Sequence, residues 1–99
     1  THKIIFMHHP LYLNDPKEDD NYFVIHLRRR SRILDLLAEH EVTAVCTGHL
    51  HKNNYRKFGT TELISTGSVG YPLGEDPSGI RIIDLTDTKM SHRYLSLES

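Results

Sequence analysis

One cysteine, Cys46, is the only thiol in 99 residues. That excludes an intrachain disulfide and is compatible with a reducing compartment. No apolar run approaches the ~20 residues of a membrane span, and no signal-peptide pattern is visible, so a cytoplasmic chain without a membrane partner is expected. Neither sign of charge is in excess. Twelve basic and thirteen acidic residues leave a net charge of −1, which provides no basic footprint for nucleic acid. Apolar residues are also somewhat scarce, at 37%, below the usual share. This leaves either a small core or a sheet face meant for another partner. What the chain does have is histidine, eight of them, dispersed through the sequence. The length suits one domain, burying about two thirds of its unfolded surface.

Lys3-Ile-Ile-Phe-Met7 is a short apolar run, as expected of a strand buried on both faces. It runs into His8-His9-Pro10. Proline ends a ladder because it has no N–H, which puts His8 at the strand end. Leu11 to Asp20 reads as a loop, its acidic run Glu18-Asp19-Asp20 being a solvated loop or helix entry. Asp20 or Asn21 is a suitable N-cap. Tyr22 to about His40 has a helical pattern, with Leu27, Ile33, Leu34, Leu37 and Ala38 on one stripe. Arg28, Arg29, Arg30 and Arg32 mostly fall off that stripe, which predicts a solvated face. His26 and His40 suit surface or helix-end roles.

A second strand, Val42–Thr47, ends in Gly48-His49-Leu50-His51. On extended backbone, residues i and i+2 point to one side, so His49 and His51 can face one metal or two adjacent ones. Gly48 fits a tight exit with φ > 0. Tyr55–Phe58 and Thr61–Ser65 flank Gly59-Thr60 and read as a hairpin. A glycine loop, Thr66 to Gly74, follows without the Gly-Lys-Ser/Thr ending or the helix of a nucleotide P-loop. Gly79–Leu85 and Lys89–Leu95 make two more strands about a turn at Thr86-Asp87-Thr88, with His92 on a strand face.

The helix has the length of a crossover between parallel neighbours. If the strands ending at His8 and His49 pair, His8, His49 and His51 are brought toward one sheet edge, where α/β proteins hold their ligands. No carboxylate falls at a strand end beside them, so the sequence provides half of a hydrolytic metal site.

His8-x-Pro10 at a strand end, a helix, Gly48-His49-Leu50-His51 and the Gly67-Ser68-Val69-Gly70 loop together resemble the C-terminal half of a calcineurin-like metallophosphoesterase. Asp15–Asp20, Tyr22-Phe23, Leu73–Gly79 and His92-Arg93-Tyr94 are similar to its Ser/Thr-phosphatase-like branch of calcineurin-like phosphoesterase domain-containing proteins. The resemblance implies an α/β sandwich of which residues 1–99 form one partial domain: strand-helix-strand, then antiparallel strands. It implies two divalent ions (Mn, Fe or Zn), with His8 and His49 on the second, His51 on the first, and His9 at a variable, non-ligand position. The family's Asp-x-His, Gly-Asp-x-x-Asp and Gly-Asn-His-Glu/Asp motifs have no counterpart here, so the resemblance places no catalytic residue in this chain. The expected partners are the missing N-terminal half of the same domain and a phosphorylated substrate, hydrolysed in the parent by in-line attack on a phosphate ester. The isolated piece is expected to be inactive. Two other readings stay open: a small non-catalytic module holding one zinc on His8, His49 and His51, and histidines that are merely structural.

Overall fold

The structure, a computed structural model, describes residues 2–70 and 76–97. It is an α/β arrangement of strands β1 (Ile4–Phe6), β2 (Ala44–Thr47), β3 (Asn54–Phe58), β4 (Thr61–Ser65), β5 (Gly79–Leu85) and β6 (Met90–Ser96), with helix α1 (Leu27–Glu39) between β1 and β2. The first four strands form one sheet in the order β1-β2-β4-β3, and β5 and β6 form a separate hairpin. β1 and β2 are parallel neighbours joined by α1, as the crossover length predicts. β2 also runs parallel to β4, with Val45 opposite Leu63. The β3–β4 hairpin closes at Gly59-Thr60, where Gly59 takes φ +59°, a conformation glycine adopts without a Cβ clash. Among the described residues no helix is long and apolar enough to cross a membrane. The part of the glycine loop at residues 71–75 lies outside the described residues.

The core lies between one face of the larger sheet and the helix, built from Leu11, Tyr12, Leu34, Leu37, Val42, Val45 and Leu63. Alternation along β2 and β4 puts Val45 and Leu63 on this face and Ala44, Cys46 and Ile64 on the other. β1 departs from the expectation of burial on both faces. It is an edge strand, paired among the described residues with β2 alone, and Phe6 is 76% exposed. An apolar run signals a strand made to be covered, but not what covers it.

The helix begins later than its periodicity suggests, at Leu27 with His26 at the N-cap position. Tyr22 to Val24 form a turn instead, pinned where Asn21 Oδ1 accepts the Phe23 N–H at 2.9 Å. Asp20 nonetheless caps the helix from seven residues upstream, its Oδ1 accepting the Leu27 N–H at 2.5 Å. His40 sits at the C-cap, as a helix-end residue should.

Arg30 corrects the expectation of a fully solvated arginine face. It lies four and seven residues before Leu34 and Leu37, on the same buried stripe, and is 0% exposed. Its guanidinium donates to the carbonyls of Ile25, Pro16 and Glu18 at 3.2, 3.1 and 2.7 Å. Nη2 has no hydrogen-bond partner and lies 3.9 Å from Asp20 Oδ1. Arg30 therefore ties the loop after β1 to the helix from inside. The acidic run completes the tie, because Glu18 accepts the backbone N–H groups of Leu13, Asn14 and Asp15 at 2.9, 2.9 and 3.1 Å. Partial burial pushes the Glu18 carboxyl up, but those three donors and the charge of Arg30 outweigh it and hold the group below the ordinary carboxylate range.

Two outcomes follow for stability. Arg30→Ala leaves three carbonyls without their donor and should cost about 2–4 kcal/mol in urea unfolding, against about 0.5 kcal/mol or less for exposed Arg32→Ala. Equal effects would mean that Arg30 does not anchor the loop. Because the folded-state pKa of Glu18 lies below its unfolded value, its contribution is complete above about pH 4.3 and is lost as pH falls through the folded value. Unfolding midpoints measured down the acid limb should therefore fall less steeply in Glu18→Gln than in the parent sequence.

Candidate metal centre

The parallel register of β1 and β2 continues past both strands. The Met7 N–H donates to Cys46 O at 3.1 Å, and the Gly48 N–H donates to His8 O at 3.1 Å. This last bond holds the two strand exits together and sets His8 beside His49. His8 Nε2 lies 3.1 Å from His49 Nδ1. The His9 ring packs on His49 with centroids 4.1 Å apart, and the Tyr22 ring lies 4.9 Å from it.

The backbone that presents these rings differs from the extended His-x-His expected from sequence. His49 has φ 68° and His51 has φ 59°, both in the left-handed region, whereas Gly48 is not among the positive-φ glycines. The Leu50 N–H donates to Gly48 O at 2.7 Å, closing a three-residue γ-turn with His49 at its centre. That turn with positive φ is rare and strained for a residue bearing a Cβ. Buried Leu50, 2% exposed, anchors the loop between the two histidines. Two left-handed residues, not an extended dipeptide, set where the imidazoles go.

His8 and His49 fit a cation by the chemistry of their facing nitrogens. His49 Nε2 lies 3.4 Å from Tyr22 O, to which it can donate, and this leaves the Nδ1 lone pair directed at His8. A ligating histidine commonly gives its other N–H to a carbonyl in this way. Two nitrogens 3.1 Å apart suit two ligands of one ion bound at about 2.0–2.1 Å. Burial, followed by the neighbouring imidazoles of His49 and His8, holds His9 below the ordinary histidine value. Among the described residues no group of three or more His, Cys, Asp or Glu side chains is placed to hold an ion. His8 and His49 are thus the converged pair, and His51 is half-buried in the same loop without joining them. Burial pushes the Cys46 thiol up, which disfavours its thiolate.

The far end of the loop is held by residues that sequence reading passed over. Asp76 Oδ2 accepts the Asn53 N–H at 2.8 Å. Asn53 Oδ1 in turn accepts from the Gly67 N–H at 2.7 Å and from Arg81 Nη2 at 2.8 Å. Arg81 also donates to Thr66 Oγ1 at 3.0 Å and lies 3.0 Å from His92 Nδ1, while His92 Nε2 lies 3.6 Å from Glu62. His92 is a strand-face residue, as expected, and it links the β5–β6 hairpin to the larger sheet. One signal was available, a lone arginine inside the apolar run Gly79-Ile-Arg-Ile-Ile83. For Asn53 there was none.

No family model matches the chain. It is similar to curated proteins named serine/threonine-protein phosphatase CPPED1. Identity is 35% over 97 residues with that of Bos taurus, 35% over 98 with that of Homo sapiens and 33% over 97 with that of Danio rerio. Each match covers 98% of this chain but only 31% of the relative, so the chain spans about a third of their length.

The γ-turn makes a prediction that separates strain from ligation. His49→Gly and His49→Ala both remove the imidazole, but only glycine relaxes a φ of 68°. His49→Gly should therefore unfold at higher denaturant than His49→Ala, by about 1 kcal/mol. The opposite order would remove the strained turn.

Proposed function

We propose that this chain is a C-terminal part of a calcineurin-like metallophosphoesterase and carries one wall of its two-metal centre. His8 and His49 hold one ion and His51 faces the other. The observation that carries this reading is the convergence of His8 Nε2 and His49 Nδ1 to 3.1 Å across two parallel strand ends. A similarity of about 35% to proteins named as Ser/Thr phosphatases supports the reaction class. On that reading the parent hydrolyses phosphoserine or phosphothreonine esters of proteins.

Divalent ions, when bound, supply Lewis-acid polarisation of a phosphoryl oxygen and lower the pKa of water. The chain's own residues supply the rest of this wall. His49 Nδ1 and His8 Nε2 would hold the ion through their ring lone pairs, and a His49 Nε2–H donated to Tyr22 O favours the tautomer this requires. The Gly48 N–H to His8 O bond keeps both rings at one edge.

On that reading the carboxylate ligands come from the remainder of the domain, and an apolar face of the described residues supports this. Phe6, Val69 and Ile80, 76, 59 and 44% exposed, surround an open cleft of about 570 Å³ between the edge strand and the hairpin. The described part is a slab only 17 Å thick. An apolar edge strand with unpaired N–H and C=O groups calls for a covering strand.

The test uses the full-length protein loaded with Mn²⁺ and an aryl phosphate. Turnover is expected, with a loss of about a hundredfold or more in His49→Ala and in His8→Ala. Retention of activity in either variant would remove that histidine from the centre, and absence of turnover across divalent metals would overturn the reaction class.

A further inference from the structure

Beside the histidine pair lies a second cavity, an open cleft of about 670 Å³, within the range of ligand sites. Its inner wall is His9 and Tyr22, the two rings that pack against His49. Its floor is Val24, 5% exposed, and Ile25. Its outer wall is His26 and Arg29 at the start of α1. The cleft therefore borders two rings that pack on His49 and extends to Arg29 at the start of α1, with Asp20 and Asn21 also in its lining.

The lining carries one guanidinium, Arg29, and one carboxylate, Asp20. The first turn of α1 carries no acidic residue, although a helix N-terminus favours anions and disfavours cations. Arg30 is compensated by its buried carbonyls, but Arg29 points to solvent and has no ion-pair partner among the described residues. Asp20 also borders the cleft, but its carboxylate is already engaged by the Leu27 N–H at 2.5 Å, His26 at 3.5 Å and Arg30 at 3.9 Å. What remains for a ligand is one free guanidinium over an apolar floor. That combination suits a short acidic peptide stretch, with carbon stems on Val24 and Ile25 and a carboxylate at Arg29.

We propose that this cleft binds acidic residues flanking the phosphorylated residue of a protein substrate, with Arg29 as the specificity-determining residue. This inference rests on the metallophosphoesterase reading for the position of the phosphate, but its test does not depend on turnover. Full-length protein with Mn²⁺ is titrated into fluorescein-labelled peptides bearing a non-hydrolysable phosphonate in place of phosphoserine. The flanks are acidic, alanine or basic, and anisotropy is read at low and high salt. The acidic-flanked peptide should bind at least tenfold more tightly than the alanine-flanked one, and added salt should reduce that preference. Arg29→Glu should abolish the preference or transfer it to the basic-flanked peptide, and Arg29→Lys should retain most of it. Equal affinity of the parent protein for all three peptides would overturn the proposal. So would a preference that survives Arg29→Glu. Aryl phosphate turnover, measured separately, decides the reaction class: its absence would sink the function proposed above while leaving the flank preference to stand or fall on the titration.

Discussion

Everything at the candidate centre depends on the parallel pairing of β1 with β2. Three residues of β1 pair with three of β2, and the ladder is extended at its exit by the Gly48 N–H to His8 O bond. Parallel neighbours leave the sheet at the same edge, so pairing alone brings together histidines 41 positions apart. A slip of one residue would turn His8 to the other face and undo the pair. The helix between the strands exists, in this sense, to permit that register. Its packing on Val45 and Leu63 stabilises the sheet whose edge carries the candidate centre.

Register brings the rings near each other, but it does not aim them. Aiming is done by conformations a sheet would not adopt by itself. His49 occupies a γ-turn and His51 a left-handed position, and neither persists without restraint on both sides. On one side is the β1–β2 ladder. On the other is Asn53, held by Asp76 and clamped onto Gly67 and Arg81. Between them Leu50 is buried as an anchor. Of the three non-glycine residues with positive φ among the described residues, Glu41, His49 and His51, two are the histidines of this loop, and fixed points before and after them fit a preorganised site.

Much of this was readable from the residues alone. The crossover, the hairpin at Gly59-Thr60, the β5–β6 pair and the meeting of the two strand ends all follow from periodicity and turn chemistry, which are local. What was not readable depends on tertiary context. Arg30 looks like its neighbours Arg28, Arg29 and Arg32, and only its phase with Leu34 and Leu37 marks it as buried. Its acceptors are carbonyls, which carry no sequence signature at all. Tyr22 to His26 has helical spacing, yet side-chain bonds from Asn21 and Asp20 compete for the backbone and delay the helix. Phe6 reads as core because apolar residues signal burial, and burial by atoms outside the described residues leaves the same signal. The positive φ at His49 has no residue code, since the usual carrier, glycine, sits one position earlier.

The delayed helix has a consequence for function. Had α1 begun at Tyr22, those residues would lie along a regular cylinder and Tyr22 O would be committed within it. The turn instead frees that carbonyl to lie 3.4 Å from His49 Nε2 and brings the Tyr22 ring against the same imidazole. It also opens the space bordered by Val24, Ile25 and Arg29. Glu18 and Arg30 hold the loop in this shape through carbonyl and N–H groups, and exposed Arg29 at the cleft takes no part in that anchoring. Arg29 can therefore change without loss of that form. On the proposed reading, the backbone anchoring that orients His49 leaves the neighbouring surface available for substrate selection, which is why the specificity residue is sought at Arg29 and not among the histidines.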